Sequence, residues 1–256
     1  MSIPDAKIHP VATGVAAKTV ANHEGPQDLI FHAGWFCPYV QRTWITLEER
    51  GIPYQYKEVN PYHKEKHFLD INPKGLVPAV EYKGKALYES LILCEFLDDA
   101  YPSYKPTILP ADPYTKAYVR IWVDYVTKNL TPGFMRLVQA QDPEKRKEYV
   151  GELLAAQRTL AEQVKGPYFL GEEFGLVDVA LAPWIARDYI VAQHRGCKRE
   201  DAGEAWKKYA DNLAKRPSVL NTSSDLEHYE EIYGRYLRDE AQSESAKAIR
   251  AGRAIP

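Results

Sequence analysis

The chain has 256 residues, 45% hydrophobic, 27% charged and 12% aromatic, with a formal net charge of −2. That composition is globular and excludes a disordered or fibrous protein, and the length suits one large or two ordinary domains of about 100–200 residues each. Cut after Pro110, the chain carries 11 basic and 13 acidic residues before the cut and 22 of each after it, so neither part has the basic footprint of a nucleic-acid binder.

Three cysteines are too few for a disulfide framework, and an odd count points to a reducing, cytoplasmic setting. No apolar run approaches the ~18 residues a membrane span requires. The weakly apolar stretch from Val11 to Ala21 is interrupted by Lys18 and lacks a basic flank, so no secretory signal is expected. Residues 1–27, with Pro4, Pro10 and Pro26, read as an extended N-terminal arm.

Residues 28–100 read as the first domain. Leu29-Ile30-Phe31-His32-Ala33 is a short apolar run followed by Gly34, the pattern of a buried strand. Pro38 can open a helix, because the first turn has no use for its missing N–H. Val40, Trp44 and Leu47 recur at helical spacing, so the helix runs to about Arg50 and stops at Gly51. Tyr54 to Val59 reads as a second strand, and residues 61–71 as a charged connection with one helical stretch. Val77 to Tyr82 and Ala86 to Tyr88 flank Lys83-Gly84-Lys85, a hairpin with Gly84 in the turn. Leu93, Phe96, Leu97 and Ala100 mark another helix. The sum is an α/β unit, a mixed sheet covered by helices.

Four prolines between Tyr101 and Pro113 break the pattern, and residues 101–111 read as a linker. Residues 112–256 read as an all-helical domain. Tyr114, Tyr118, Ile121, Trp122 and Tyr125 form one apolar stripe, and Val177 to Ile190 is apolar on nearly every face, as in a helix at the centre of a bundle. Asp178 stands three residues after Gly175, at capping-box spacing. The polar stretch from Arg238 is predicted to fray.

Phe36-Cys37-Pro38-Tyr39 carries the most chemistry. It sets Cys37 immediately before a helix, where unpaired N–H groups and the helix dipole favour a thiolate. Val40 occupies the position of a second cysteine, so a reactive Cys37 needs an external thiol to release its mixed disulfide. A buried structural cysteine is the alternative. Val77-Pro78, just after Gly75, is a candidate cis bond at a strand entrance, which would leave the Val77 backbone free for a peptide-like ligand; a trans proline is the commoner case. Glu89 could hold an amine, and Ser90 reads as the N-cap of the helix that follows. His63 and His67 do not form a metal-binding pair with the intervening Glu65, so no metal is predicted. Cys94 lies on a core-facing helix, whereas Cys197, beside Arg195 and Lys198, is expected at the surface. No glycine-rich phosphate loop appears, which argues against a nucleotide cofactor.

The order of strand, Cys-Pro helix, X-Pro strand, Glu-Ser helix, proline-rich linker and helical bundle resembles a cytosolic glutathione transferase over about residues 28–235. Phe36-Cys37-Pro38-Tyr39-Val40-Gln41-Arg42, Asn72-Pro73-Lys74-Gly75-Leu76-Val77-Pro78 and Leu87-Tyr88-Glu89-Ser90 are similar to the omega class in particular. The resemblance implies a thioredoxin-like first domain that binds glutathione as co-substrate. It implies that Cys37 is catalytic and faces the glutathione sulfur, that Val77 pairs with the cysteinyl backbone beside cis-Pro78, and that Glu89 and Ser90 hold the γ-glutamyl end. Phe36 would join this site, and Lys64 would meet the glycyl carboxylate.

Cysteine in place of tyrosine or serine implies thiol transfer and reductive deglutathionylation of conjugates and mixed disulfides, with dehydroascorbate reduction alongside. The rivals are a non-catalytic carrier on the same fold and a transferase that conjugates small hydrophobic electrophiles. The resemblance also implies a homodimer, and an acceptor site between the domains with Trp35, Phe36, Trp122, Tyr125, Tyr229 and Tyr233 as candidate lining.

Overall fold

The computed structural model describes residues 8–63 and 65–255. The chain divides into two compact units: His9–Pro110 together with Arg216–Asp225, and Ala111–Lys215 together with the chain from Leu226 onward.

The first unit is built on a four-stranded sheet in the order β2-β1-β3-β4. Strand β1 (Leu29–Ala33) runs parallel to β2 (Gln55–Glu58) and antiparallel to β3 (Ala79–Tyr82), which pairs with β4 (Lys85–Tyr88). The predicted hairpin forms with Lys83 and Gly84 both at positive φ, 50° and 76°. Helix α2 (Pro38–Arg50) follows β1 and ends at Gly51, which adopts the left-handed conformation a glycine tolerates. Helix α3 (Lys66–Ile71) lies in the charged connection, and α4 (Ser90–Ala100) follows the hairpin.

Alternation along β1 sorts these helices onto two faces. Phe31 meets Tyr54 and Tyr56 edge-on, and Tyr56 packs on Trp44 of α2 with ring centroids 5.0 Å apart. His32, one residue on, turns the other way toward His67 and Phe68 of α3. Phe31, Trp44, Val80, Leu93 and Leu97 are fully buried, and each large apolar side chain so placed contributes roughly 1.5–3 kcal/mol.

The arm predicted to be extended holds a helix instead, α1 (Gly14–Asn22). Its sequence is a weak signal because only Ala16 and Thr19 are buried, and a nine-residue helix is marginal alone. Its partner comes from far along the chain. Thr19 Oγ1 donates to the Asn221 carbonyl at 2.7 Å, the Thr13 amide donates to Ser224 Oγ, and the Asp225 amide donates to Thr13 Oγ1. Gly14, at φ +58°, sits where a Cβ would fall 2.3 Å from Asp225 Oδ1.

The segment that supplies those partners, residues 216–225 with the short helix Pro217–Asn221, groups with the first unit although the sequence reading assigned it to the helical domain. It also braces α2. Arg216 pairs with Glu49, Ser218 Oγ donates to Glu49 at 2.7 Å, and the buried Gln41 amide donates to the Thr222 carbonyl and Ser223 Oγ.

The second unit is helical throughout, with long helices Pro113–Tyr125 and Pro143–Ala161. Every residue of its central helix, Leu176–Ile185, is buried, as its all-round apolarity requires. Asp178 accepts from the Gly175 amide (2.8 Å), the Phe169 amide (3.0 Å) and the Tyr209 hydroxyl (2.7 Å), so it fixes both the helix start and a neighbouring helix. Burial pushes its carboxyl up to about 6 against those bonds. The polar tail predicted to fray contains a further helix, Glu244–Arg250. Ser243 Oγ accepts from the Ala246 amide there, and Ala246 is fully buried. Cys197, expected at the surface, is buried, and its thiol is pushed up to about 12 chiefly by burial. No helix among the described residues is long and apolar enough to cross a membrane.

Candidate active site

The four residues after β1 turn the chain into α2. The Cys37 amide donates to the Gly34 carbonyl at 2.9 Å, and the Cys37 carbonyl accepts from the Gln41 amide, the first bond of the helix. Pro38 occupies the first helical position, so Cys37 is the N-cap residue that the sequence predicted. A Cβ on Gly34 would come 3.1 Å from the Val59 carbonyl oxygen, which is why this turn takes glycine.

Cys37 is half-exposed, and its Sγ lies 3.9 Å from the Val77 carbonyl oxygen. The Val77–Pro78 bond is cis, the form the family resemblance implies and the rarer of the two that its sequence context allows. Asn72, 1% exposed and given no role by the sequence reading, organises the loop leading to it. Its side chain donates to the Leu76 carbonyl at 2.8 Å and accepts from the Lys74 amide, while its own carbonyl accepts from Gly75. An Asn followed by Pro-Lys-Gly is the available signal, since Asn side chains close such turns.

Helix α4 starts one residue earlier than expected, with Glu89 rather than Ser90 at its N-cap. Glu89 is the residue before α4 and adopts φ 79°, and Ser90 is the first residue inside the helix, buried, with its carbonyl accepting from Thr43 Oγ1 of α2. Capping by Ser90 is therefore a correction: the positive φ at Glu89 turns the chain one residue earlier. The Glu89 carboxylate meets Lys74 Nζ at 2.6 Å, and this bond holds Lys74 above its ordinary value. Cys37 thus meets the Val77 carbonyl, and Asn72 and Lys74 connect the loop before Val77 to Glu89. Phe36 stacks on Tyr62 with ring centroids 6.2 Å apart. Lys64 lies outside the described residues.

Behind the thiol, Arg42 of α2 is 2% exposed, with its guanidinium 5.4 Å from the Tyr39 ring centre. Burial lowers it to about 10, and Tyr39, Cys94 and Cys37 favour its charge, so it stays cationic at neutral pH. Arg42 lies two residues from both Val40 and Trp44, on the side of α2 away from that stripe, so helical periodicity gives no sign of its burial. Val40 is fully buried. Cys94 is fully buried as well, its Sγ accepts from Thr46 Oγ1 at 3.2 Å, and its thiol is pushed up to about 12 by burial. All three cysteines are free thiols, and Cys37 alone of them is not buried.

Trp35, buried within the turn, is held twice. Its amide donates to Glu58 Oε1 at 3.0 Å, and its indole N–H donates to the His9 carbonyl at 2.8 Å. Of the other aromatic residues named from sequence, Trp122 and Tyr125 are half-buried, with Trp122 packed against both Tyr125 and Phe169, and Tyr229 and Tyr233 are buried in the helical unit. Among the described residues no group of three or more His, Cys, Asp or Glu side chains could hold a metal ion. A cavity of about 450 Å³ lined by Pro26, Asp28, Pro53 and Tyr101 opens at the Leu29 end of β1, opposite the end that leads to Cys37, and gathers no comparable chemistry.

Residues 36–100 match the model of the glutathione S-transferase N-terminal domain, and residues 123–217 that of the C-terminal domain. The crystal structure of glutathione transferase Omega 3C from Trametes versicolor is 66% identical, with a TM-score of 0.87 over 91% of this chain and 100% of that one. Glutathione S-transferase omega-1 of Sus scrofa is 36% identical over 155 residues, 59% of this chain and 64% of that protein. A rice enzyme, GST1, solved in complex with glutathione, is 27% identical with a TM-score of 0.77 over 84% of this chain and 98% of that one. With a cysteine opening α2, a cis-proline strand and a Glu-Ser helix start already in place, these matches leave one assignment: the chain belongs to the glutathione transferase family, in its omega class.

Proposed function

We propose that this glutathione-dependent transferase works by thiol transfer, removing glutathione from conjugates and mixed disulfides through the Cys37 thiolate. The observation that carries this reading is the position of Cys37: half-exposed at the start of α2, with Val40 buried at the resolving position and no second accessible thiol among the cysteines. Cys37 attacks the glutathione sulfur of a mixed disulfide, forms a Cys37–glutathione disulfide and expels the partner thiolate. The thiolate of a second glutathione then attacks that disulfide, releasing oxidised glutathione and restoring Cys37. With a thioether the departing carbon leaves with the bonding pair and takes a proton, and the same second step follows. Such a carbon must be able to bear negative charge, which selects conjugates alpha to a carbonyl.

Phe36, Val77, Pro78, Glu89 and Ser90 are proposed to hold glutathione. Val77 would offer its backbone to the cysteinyl unit, and the Glu89 carboxylate, already beside one ammonium group, suits the γ-glutamyl amine. A homodimer is proposed on the family's behaviour, and a cytoplasmic location on the three free thiols.

The test is Cys37→Ser, assayed for release of free thiol from glutathione mixed disulfides and phenacyl-type conjugates. Thiol transfer should fall by on the order of a thousandfold, because a serine hydroxyl cannot form the mixed disulfide. Wild-type thiol transfer in the variant sinks the mechanism, and retained conjugation of aryl halides with no thiol transfer in either protein favours a conjugating transferase.

A further inference from the structure

We infer that Glu58 is a positioning residue for the catalytic turn, holding Cys37 at the head of α2 through the Trp35 amide. The inference rests on Cys37 being the reactive thiol.

Glu58 is the last residue of β2 and pairs with Ala33, the last residue of β1, so its side chain reaches the turn that begins one residue later. Oε1 accepts from the Trp35 amide at 3.0 Å, and Oε2 accepts from the Tyr56 hydroxyl at 2.9 Å. The Trp35 amide lies inside the tight turn closed by the bond from the Cys37 amide to the Gly34 carbonyl. The Val59 amide, next after Glu58, donates to the Ala33 carbonyl at 2.7 Å, which fixes the carboxylate relative to the turn. A bond to a carboxylate is roughly twice as strong as one to a neutral acceptor, so the ionised form holds the turn tighter than the protonated form.

Burial pushes the Glu58 carboxyl up to about 7, against the bonds from Trp35 and Tyr56. Its state therefore changes near neutral pH. Tyr56 is a titratable neighbour on its own strand and donates to it. His9, from the N-terminal segment, packs edge-on against the Trp35 indole with ring centroids 6.4 Å apart. Cys37 follows Trp35 by two residues. From α2, the neutral Trp44 packs on Tyr56. Lys57 is exposed and points to the opposite face by strand alternation, and among the described residues no lysine or arginine pairs with Glu58. The charge is thus supported by two hydrogen bonds rather than an ion pair.

The experiment is the pH dependence of Cys37 alkylation by iodoacetamide, read by mass spectrometry at Cys37, in the full-length protein and in Glu58→Gln and Glu58→Leu. In the wild type the rate should rise with pH more steeply than one ionisation allows, with one of two ionisations near neutrality. Glu58→Gln keeps an acceptor for Trp35 and loses the titration. Its profile should reduce to one ionisation, with a rate at pH 8 within about threefold of wild type. Glu58→Leu should be slower by about tenfold at pH 8, the size of effect a lost hydrogen bond to a charged group produces. Superimposable wild-type and Glu58→Gln profiles overturn the inference. So does a Glu58→Gln profile shifted bodily to lower pH, which would make Glu58 a brake on thiolate formation. If Glu58→Leu does not fold, the Gln comparison decides alone. Alkylation needs no glutathione turnover, so failure of the thiol-transfer reading leaves this result independent.

Discussion

Lys74 and Glu89 meet at 2.6 Å and join the loop leading to Val77 to the residue that opens α4. Both side chains are about half exposed, 56% and 50%, so the contact is screened and adds little to folding. In the proposed glutathione site its consequence would lie in binding, because an amine-bearing ligand at Glu89 would compete with the Lys74 ammonium or share its carboxylate. Glu89→Gln should raise KM for glutathione about tenfold with kcat within about twofold, the pattern of a lost ground-state contact. Thermal unfolding of Glu89→Gln should move by less than about 2 °C. An unchanged KM removes Glu89 from the binding set.

The three thiols should separate in one labelling experiment. At pH 7.5 in the native protein, iodoacetamide should modify Cys37 and leave Cys94 and Cys197 untouched, since burial pushes both of those thiols up to about 12. In denaturant all three should react. Native modification of Cys197 would contradict its burial.

Asp178 makes stability depend on pH in a defined direction. Burial pushes its folded-state carboxyl up to about 6, above the ordinary value of 3.8. The protonated form is therefore favoured by folding, and the stability it contributes is fully present below about pH 4 and lost as pH rises through about 6. A difference of that size corresponds to on the order of 3 kcal/mol. Asp178→Asn carries no such titration. The gap in urea midpoint between wild type and variant should change across pH 4–6 and stay flat from 7 to 8. The same variant should also be less stable at pH 7 by roughly 2–3 kcal/mol, because one of three buried donors is left poorly paired. A gap that is constant from pH 4 to 8 would show that the three hydrogen bonds offset burial in full.

Much of the fold was legible because its signals are local. Pro38 and Gly51 bracket α2, Gly84 marks the hairpin, and the unbroken apolarity around Leu181 marks a buried helix. Cys37 was legible for the same reason: a cysteine before Pro38 needs only its neighbours to become an N-cap. Helix α1 was not legible, because Thr19 and Thr13 find their hydrogen-bond partners about 200 residues away. Nor was the burial of Cys197, whose sequence neighbours Arg195 and Lys198 look like surface. Arg195 instead donates to the Leu137 and Val138 carbonyls.

The sequence by itself determined which cysteine caps a helix, that no second cysteine follows it at resolving spacing, and that an α/β unit precedes a helical one. These follow from periodicity, capping and spacing, which act within a few residues. Only the tertiary structure decided that Ser90 sits inside α4 while Glu89 turns the chain, that residues 216–225 brace the helix carrying Cys37, and that Glu58 holds the turn before it. Each of these rests on burial and hydrogen bonds between groups distant in sequence. Glu58, an ordinary charged residue at a strand end by local pattern, acquires its role when β2 pairs with β1 and brings its carboxylate under the Trp35 amide.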